Sequence, residues 1–311
     1  MYNTEPMGGQ SLEQCAVDAE KTGFVWVDPA PELVVGEVKQ MAEDNQVEAV
    51  KTGGFWYGPR SPNGAVGQKA LKGEKLIYHM HGGAFVMGTG APSSGPMKTC
   101  FDGLLEHCST HHRIFALEYR LSSAAPFPAS NPFPACLLDA LAGYRYLVQD
   151  VGFDPENILI SGDSAGGLLA FTLAYYLATH GSELPDSLRN AGALLLLSPT
   201  VDWAVSDGAG PQTSMRRHAR SDFVEPILLT GYTRRALLGR LPAETAATSV
   251  YISPASRSLR VVPGMFAGLP PTCIVAGGRG ADARPDARVE GQSGGGPGGP
   301  RAVDRARRCD S

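Results

Sequence analysis

Short apolar runs recur through the middle of this chain, and each ends at a turn signal. Leu76–Met80, Ile114–Tyr119, Asn157–Ser161, Ala193–Leu197 and Thr272–Ala276 are largely apolar without a clean two-residue alternation. That is the pattern of strands covered on both faces in a parallel sheet. Helical spacing fills the gaps between them. Leu137, Leu138, Leu141, Tyr144 and Val148 mark one helix, and Gly166 to His180 mark another that stops at Gly181. Strand and helix alternating in this way predict an α/β fold with a doubly wound, mostly parallel sheet.

The flanks follow a different rule. Ser11-Leu12-Glu13-Gln14 fits a capping box, opening a helix with Leu12, Cys15, Ala16 and Ala19 on one side. Pro31 to Glu43 predicts a second helix, with Leu33, Val34, Val38, Met41 and Ala42 as its stripe. Both precede the first strand-like segment, which Trp56-Tyr57-Gly58-Pro59-Arg60 closes, so residues 1–50 are expected to form cap helices. Trp203 to Leu241 also departs from the alternation. It carries Arg216, Arg217, His218 and Arg220 and then a helical stretch from Pro226 to Leu238, and is expected to be the second part of the cap. The core is then 51–278. One short repeat, Pro126-Phe127-Pro128-Ala129 and Pro132-Phe133-Pro134-Ala135, suggests a small insertion.

Composition narrows the function classes. A chain of 311 residues can bury one large core or a core with a small cap. A net charge of −4 gives no reason to expect nucleic acid or an anionic membrane as partner. No apolar run nears the roughly 20 residues of a membrane helix, and no basic segment followed by an apolar one opens the chain. The six cysteines show no CxxC and no metal-ligand spacing. They are expected to be reduced thiols of a cytoplasmic protein, with Cys273 packed in the core and no cofactor or metal implied. Arg279 to Ser311 lacks Leu, Ile, Met, Phe, Tyr and Trp, so it is expected to be a disordered Arg/Gly-rich tail.

Two motifs carry the chemistry. His81-Gly82-Gly83-Ala84 follows the run Lys75–Tyr78, and Gly162-Asp163-Ser164-Ala165-Gly166-Gly167 links the run Asn157–Ser161 to a helix. GxSxG sets a serine on a sharp strand-to-helix turn with its hydroxyl exposed. Glycines after a strand let backbone N–H groups approach a substrate oxygen. Together they read as nucleophile elbow and oxyanion hole, with His81 holding the loop.

With these motifs the chain resembles an α/β-hydrolase of the hormone-sensitive-lipase-like, bacterial-type esterase and lipase family. The resemblance extends to Tyr119-Arg120-Leu121, Pro126-Phe127-Pro128-Ala129, Asp139 and Ser198-Pro199, over about Phe55 to Gly278. It implies Ser164 as nucleophile, Gly82, Gly83 and Ala165 as oxyanion donors, and a carboxylic ester of short or medium acyl chain as the small-molecule substrate. His81 and Asp163 support the motifs. It also implies an acid and then a histidine beyond the strand at Thr272–Ala276. Asp282 and Asp286 stand near the acid position in surroundings that do not match the family, and no histidine follows His218. His180 lies roughly 24 Å down the elbow helix at 1.5 Å per residue, where a surface role is expected. His218 is expected to be solvated. No general base is therefore identified, and the final strand and helix are expected to be missing. Two explanations stay open: a shifted reading frame or altered splice near Gly278, or a pseudoenzyme that binds a ligand without turnover.

Overall fold

A computed structural model describes residues 11–60, 66–206, 213–220 and 223–277. Seven strands form one sheet: β1 (Phe24–Val27), β2 (Thr52–Tyr57), β3 (Lys75–Met80), β4 (His111–Glu118), β5 (Ile158–Asp163), β6 (Ala193–Leu197) and β7 (Thr272–Val275). Their order is β1-β2-β4-β3-β5-β6-β7. The β1–β2 and β2–β4 pairs are antiparallel, and the other pairs are parallel. The five predicted apolar runs all lie in the parallel part. Leu76, Ile77, Tyr78, Met80, Ile160, Leu194 and Leu196 are buried there, as strands covered on both faces require.

The helices are α1 (Leu12–Val17), α2 (Ala19–Thr22), α3 (Gly36–Asn45), α4 (Gly95–His107), α5 (Ala135–Arg145), α6 (Ala165–His180), α7 (Ser214–His218), α8 (Val224–Leu229), α9 (Tyr232–Leu238) and α10 (Thr245–Thr248). α6 packs against β3, β5 and β6 and is buried along nearly its whole length. This agrees with a sequence that is apolar on every side. On the opposite face Phe101 of α4 packs with Ile77, Ile114 and Ala116. The capping box at Ser11 and Gln14 is formed. No helix among the described residues is long and apolar enough to cross a membrane.

Several elements differ from the sequence reading, each for a local reason. Phe24–Val27, within the segment expected to form cap helices, is strand β1, paired antiparallel with β2 from Phe24↔Phe55 to Val27↔Thr52. Four residues are too few to show a period. Pro31–Glu43 is not one helix. A 3₁₀ turn at Pro31–Leu33 is followed by α3, with Val34 and Val35 extended between them. The Tyr176 hydroxyl makes that break by taking the Val35 N–H (2.8 Å) and donating to the Leu33 carbonyl (2.6 Å). Pro226–Leu238 divides into α8 and α9 at Gly231, where φ is +68°. Cys273 is exposed, not in the core. Its strand is the last of the described sheet, and β7 alternates half-buried and exposed positions.

The repeated Pro-Phe-Pro-Ala units occupy different environments. Phe127 is 48% exposed, whereas Phe133 is 3% exposed, and the Phe133 N–H donates to the Leu237 carbonyl at 2.7 Å. Just after β4, half-buried Arg120 pairs with buried Asp139 of α5. Arg120 donates through its backbone N–H and its Nε to the Asp139 carboxylate at 2.8 and 3.0 Å. Burial pushes the Asp139 carboxyl above its usual range, and the Arg120 guanidinium opposes that shift.

Strand order decides where a site can form. β3 lies between β4 and β5, so the chain leaves β3 to one side and later returns to its other side. The segments that follow β3 and β5 diverge at their carboxyl ends, where open α/β sheets leave a crevice. His81-Gly82-Gly83-Ala84 and Ser164 both stand at that edge, because Met80 and Gly162 are register partners.

Candidate active site

β5 passes into α6 through a single residue. Asp163 ends the strand, Ala165 begins the helix, and Ser164 between them has φ +52° and ψ −117°. A side chain with a Cβ rarely adopts that conformation, and it costs about 1–3 kcal/mol unless the surroundings enforce it. Here they do. The Ser164 N–H donates to the Leu197 carbonyl at 2.9 Å, and the Thr200 N–H donates to the Ser164 carbonyl at 3.0 Å. Both partners come from the segment that ends β6. The flanking glycines are required by space: a Cβ on Gly162 would lie 2.1 Å from the Gly166 carbonyl oxygen, and one on Gly166 would lie 2.1 Å from that of Met80.

The loop after β3 faces this turn. The Gly82 N–H donates to Asp163 Oδ1 at 2.9 Å, and a Cβ on Gly82 would lie 2.3 Å from Asp163 Oδ2. Gly83 has φ +117°, while Ala84 and Phe85 have φ +55° and +63° without being glycine. Of the three sequence-predicted oxyanion donors, Gly82 is thus already bonded to a carboxylate. The N–H groups of Gly83 and Ala165 have no hydrogen-bond partner among the described residues. Ala165 is the first residue of α6, where backbone N–H groups are unpaired and the helix dipole favours negative charge.

Tyr119, the residue after β4, holds the loop. The Tyr119 hydroxyl donates to the His81 carbonyl at 2.6 Å, and the Tyr119 ring stacks on the His81 imidazole with centroids 4.3 Å apart. His81 Nδ1 donates to the Gly82 carbonyl at 2.7 Å. Burial lowers the His81 imidazole to about 4, against a smaller upward pull from the Gly82 bond, so the ring is neutral at neutral pH. Glu118 Oε2 accepts from Thr89 Oγ1 (2.9 Å) and the Gly90 N–H (2.8 Å), and burial pushes this carboxyl up to about 7.

The remaining parts of a hydrolytic triad are not brought to Ser164 among the described residues. The Ser164 hydroxyl lies 3.4 Å from that of Thr200. His180 is not the surface residue expected from sequence. It is buried, with Nδ1 2.7 Å from Glu183 and Nε2 3.3 Å from the Tyr251 hydroxyl, at the far end of α6. His218 ends α7 and is half-buried, where a solvated position was expected. Asp282 and Asp286 lie outside the described residues. Sequence reasoning passed over His79. It is fully buried, with Nδ1 3.3 Å from Ser161 Oγ and Nε2 3.3 Å from Asp163 Oδ1. Its signal was a histidine inside an apolar strand run. No group of three metal-ligating side chains occurs among the described residues.

Comparison with known proteins identifies the family and the fold. The profile of a family described as alpha/beta hydrolase fold matches residues 77–284. Human hormone-sensitive lipase is 31% identical over 137 residues, covering 43% of this chain and 12% of that protein. An acetyl-hydrolase of Streptomyces hygroscopicus is 30% identical over 205 residues, covering 66% of this chain and 56% of its own length. The chain thus spans about half of the second relative and a small part of the first. Among solved structures, an esterase from the bacterial hormone-sensitive lipase family superposes with a TM-score of 0.54 at 23% identity, covering 78% of this chain and 66% of that one. The esterase EstE5, soaked with p-nitrophenyl butyrate, does so with a TM-score of 0.55 at 22% identity, covering 93% and 79%. At these identities the structural likeness speaks for the fold.

Proposed function

The chain belongs to the alpha/beta hydrolase fold family, on its hormone-sensitive-lipase-like side, and from that premise we propose that it acts on carboxylic esters of short or medium acyl chain through Ser164. The observation that carries this reading is the forced positive φ of Ser164, with the amides of Gly83 and Ala165 left without a partner among the described residues. A side chain held in that conformation needs a reason, and presenting a nucleophile above a sheet is one. In this scheme Ser164 Oγ attacks the ester carbonyl, and the N–H groups of Gly83 and Ala165 donate to the oxygen that becomes negative. Gly82 contributes by holding the loop on Asp163 and donates to the oxyanion only by leaving that bond. The serine proton needs an acceptor, and the Thr200 hydroxyl beside it is not a base at neutral pH. We therefore expect turnover at least roughly 10³-fold below that of a homologue with a full triad.

With β1 part of the sheet, the cap reading is kept for the helices on either side of it, α1, α2 and α3, and for α7, α8 and α9 of the second part. The free Cys15, Cys100, Cys108, Cys136 and Cys273 fit a reducing, cytoplasmic setting. A second reading, a ligand-binding protein without turnover, is favoured by the lack of an imidazole beside Ser164 among the described residues. Hydrolysis of p-nitrophenyl acetate and butyrate by the purified chain and by Ser164→Ala separates the two. Slow turnover that Ser164→Ala abolishes supports the hydrolase. Rates equal to the uncatalysed reaction in both proteins leave the binding reading.

A further inference from the structure

Three polar side chains lie in a row beneath the Gly82–Gly83 loop, and the ester chemistry just described uses none of them directly. His79 on β3 is the register partner of Ser161 on β5, and Asp163 lies two residues further along β5 on the same face. The His79 imidazole is fully buried against an apolar cluster of Ile77, Phe101, Ile114 and Ala116, its ring edge-on to that of Phe101 at 4.9 Å. Such a group is costly to bury unless both ring nitrogens are satisfied. Both are: Nε2 meets Asp163 Oδ1 and Nδ1 meets Ser161 Oγ, each at 3.3 Å. Asp163 Oδ1 accepts, so Nε2–H donates to it, and Nδ1 is left to meet the Ser161 hydroxyl. Asp163 Oδ1 also receives the Gly82 N–H at 2.9 Å. The sequence of contacts is therefore Ser161, His79, Asp163, Gly82, and it ends on the His81–Gly82 peptide, one unit before the peptide that carries the Gly83 N–H.

We propose that His79 is a positioning residue of this site: held by Ser161, it fixes Asp163, and through Asp163 it sets the Gly82 peptide so that the next amide, Gly83 N–H, is aimed at the carbonyl attacked by Ser164. The proposal rests on the serine-hydrolase reading above. It explains why a glycine is required at 82, where a Cβ would meet Asp163 Oδ2. It also explains why an imidazole is kept inside an apolar cluster where leucine would pack without polar partners.

Two measurements on the full chain test it. One is kcat and KM for p-nitrophenyl acetate, and the other is hydrogen exchange of the Gly82 N–H by NMR, which needs no substrate. In His79→Leu, kcat should fall about 10-fold with KM nearly unchanged, since the loop acts on the transition state rather than on substrate binding. Gly82 exchange should quicken by a similar factor. His79→Gln, whose amide can donate to Asp163 and accept from Ser161, should restore both. Either readout staying at the wild-type value in His79→Leu overturns the proposal, whatever happens to the melting temperature. Should His79→Leu not fold, Ser161→Ala frees the other ring nitrogen by removing one oxygen, and both readouts should move about 3-fold in the same direction. No change in Ser161→Ala then overturns the proposal. A wild-type turnover that survives Ser164→Ala sinks the hydrolase reading itself, and with it this role for the tether, even where Gly82 exchange responds to His79.

Discussion

Replacing Ser164 by glycine should give a more stable protein than replacing it by alanine, the reverse of the ordinary order. Both variants lose the hydroxyl and its 3.4 Å contact with Thr200, so that contact cancels in the comparison. Helix capping largely cancels too, because the Ser164 side chain makes no cap hydrogen bond to α6. What differs is the Cβ. At φ +52° and ψ −117° a Cβ costs about 1–3 kcal/mol. Glycine escapes that strain but gives up about 0.5–1 kcal/mol through the greater freedom of its unfolded chain. The balance favours Ser164→Gly over Ser164→Ala by about 0.5–2 kcal/mol. Urea unfolding followed by tryptophan fluorescence reads this as a higher midpoint for glycine at equal slope. Ser94 supplies the control. It also caps a helix without a side-chain cap bond, but at φ −77°, so its Gly-over-Ala difference reports the N-cap preference alone, and the difference at Ser164 should exceed it. A Ser164→Ala variant as stable as Ser164→Gly, or more so, would refute the claim that this residue is held under strain.

Three further outcomes follow from the described packing. Glu118 has a folded-state value of about 7 against an ordinary 4.5, so between those limits the native state keeps a proton that the unfolded chain has released, and stability falls as pH rises. Glu118→Gln removes that fall, so its stability relative to wild type should climb by up to about 3 kcal/mol from pH 5 to pH 8; a difference independent of pH contradicts the assignment. His81 works in the opposite direction from about 4 to 6.5, gaining stability as pH rises, but it is common to both proteins and cancels. Gly166→Ala drives a Cβ to 2.1 Å from the Met80 carbonyl oxygen and 2.4 Å from that of His81, and should cost about 3 kcal/mol or more in thermal or urea unfolding. Iodoacetamide followed by peptide mass spectrometry should modify exposed Cys273 in the native protein. It should spare buried Cys15 and Cys136, whose thiols burial pushes up to about 11 and about 12, until denaturant is added.

Much of the architecture was legible along the chain because parallel strands buried on both faces leave continuous apolar runs. Ala193–Leu197 falls where it was read, and the other four runs lie within a few residues of their strands. The two glycine-rich turns were legible for a related reason: glycine is the residue that fits where another stretch of backbone comes within 2.0–2.1 Å of a hypothetical Cβ, as at Gly83, Gly162 and Gly166. Local steric demands of this kind write themselves into sequence.

Other features depended on partners distant in the chain. β1 is a strand because β2 pairs with it, and the break before α3 exists because Tyr176, 141 residues away, takes the Val35 N–H. Cys273 reads as core within an apolar run, yet lies at the last strand of the described sheet and is exposed. His180 reads as a surface residue at a helix end, yet Glu183 and Tyr251 enclose it. The sharpest case is Gly82. The motif marks its N–H as an oxyanion donor, but only the neighbouring strand brings Asp163, with His79 behind it, to take that hydrogen bond. Sequence by itself determined which backbone can come close, because steric exclusion is local; tertiary structure decided what each polar group meets there, because a hydrogen-bond partner is fixed by register and packing, not by position along the chain.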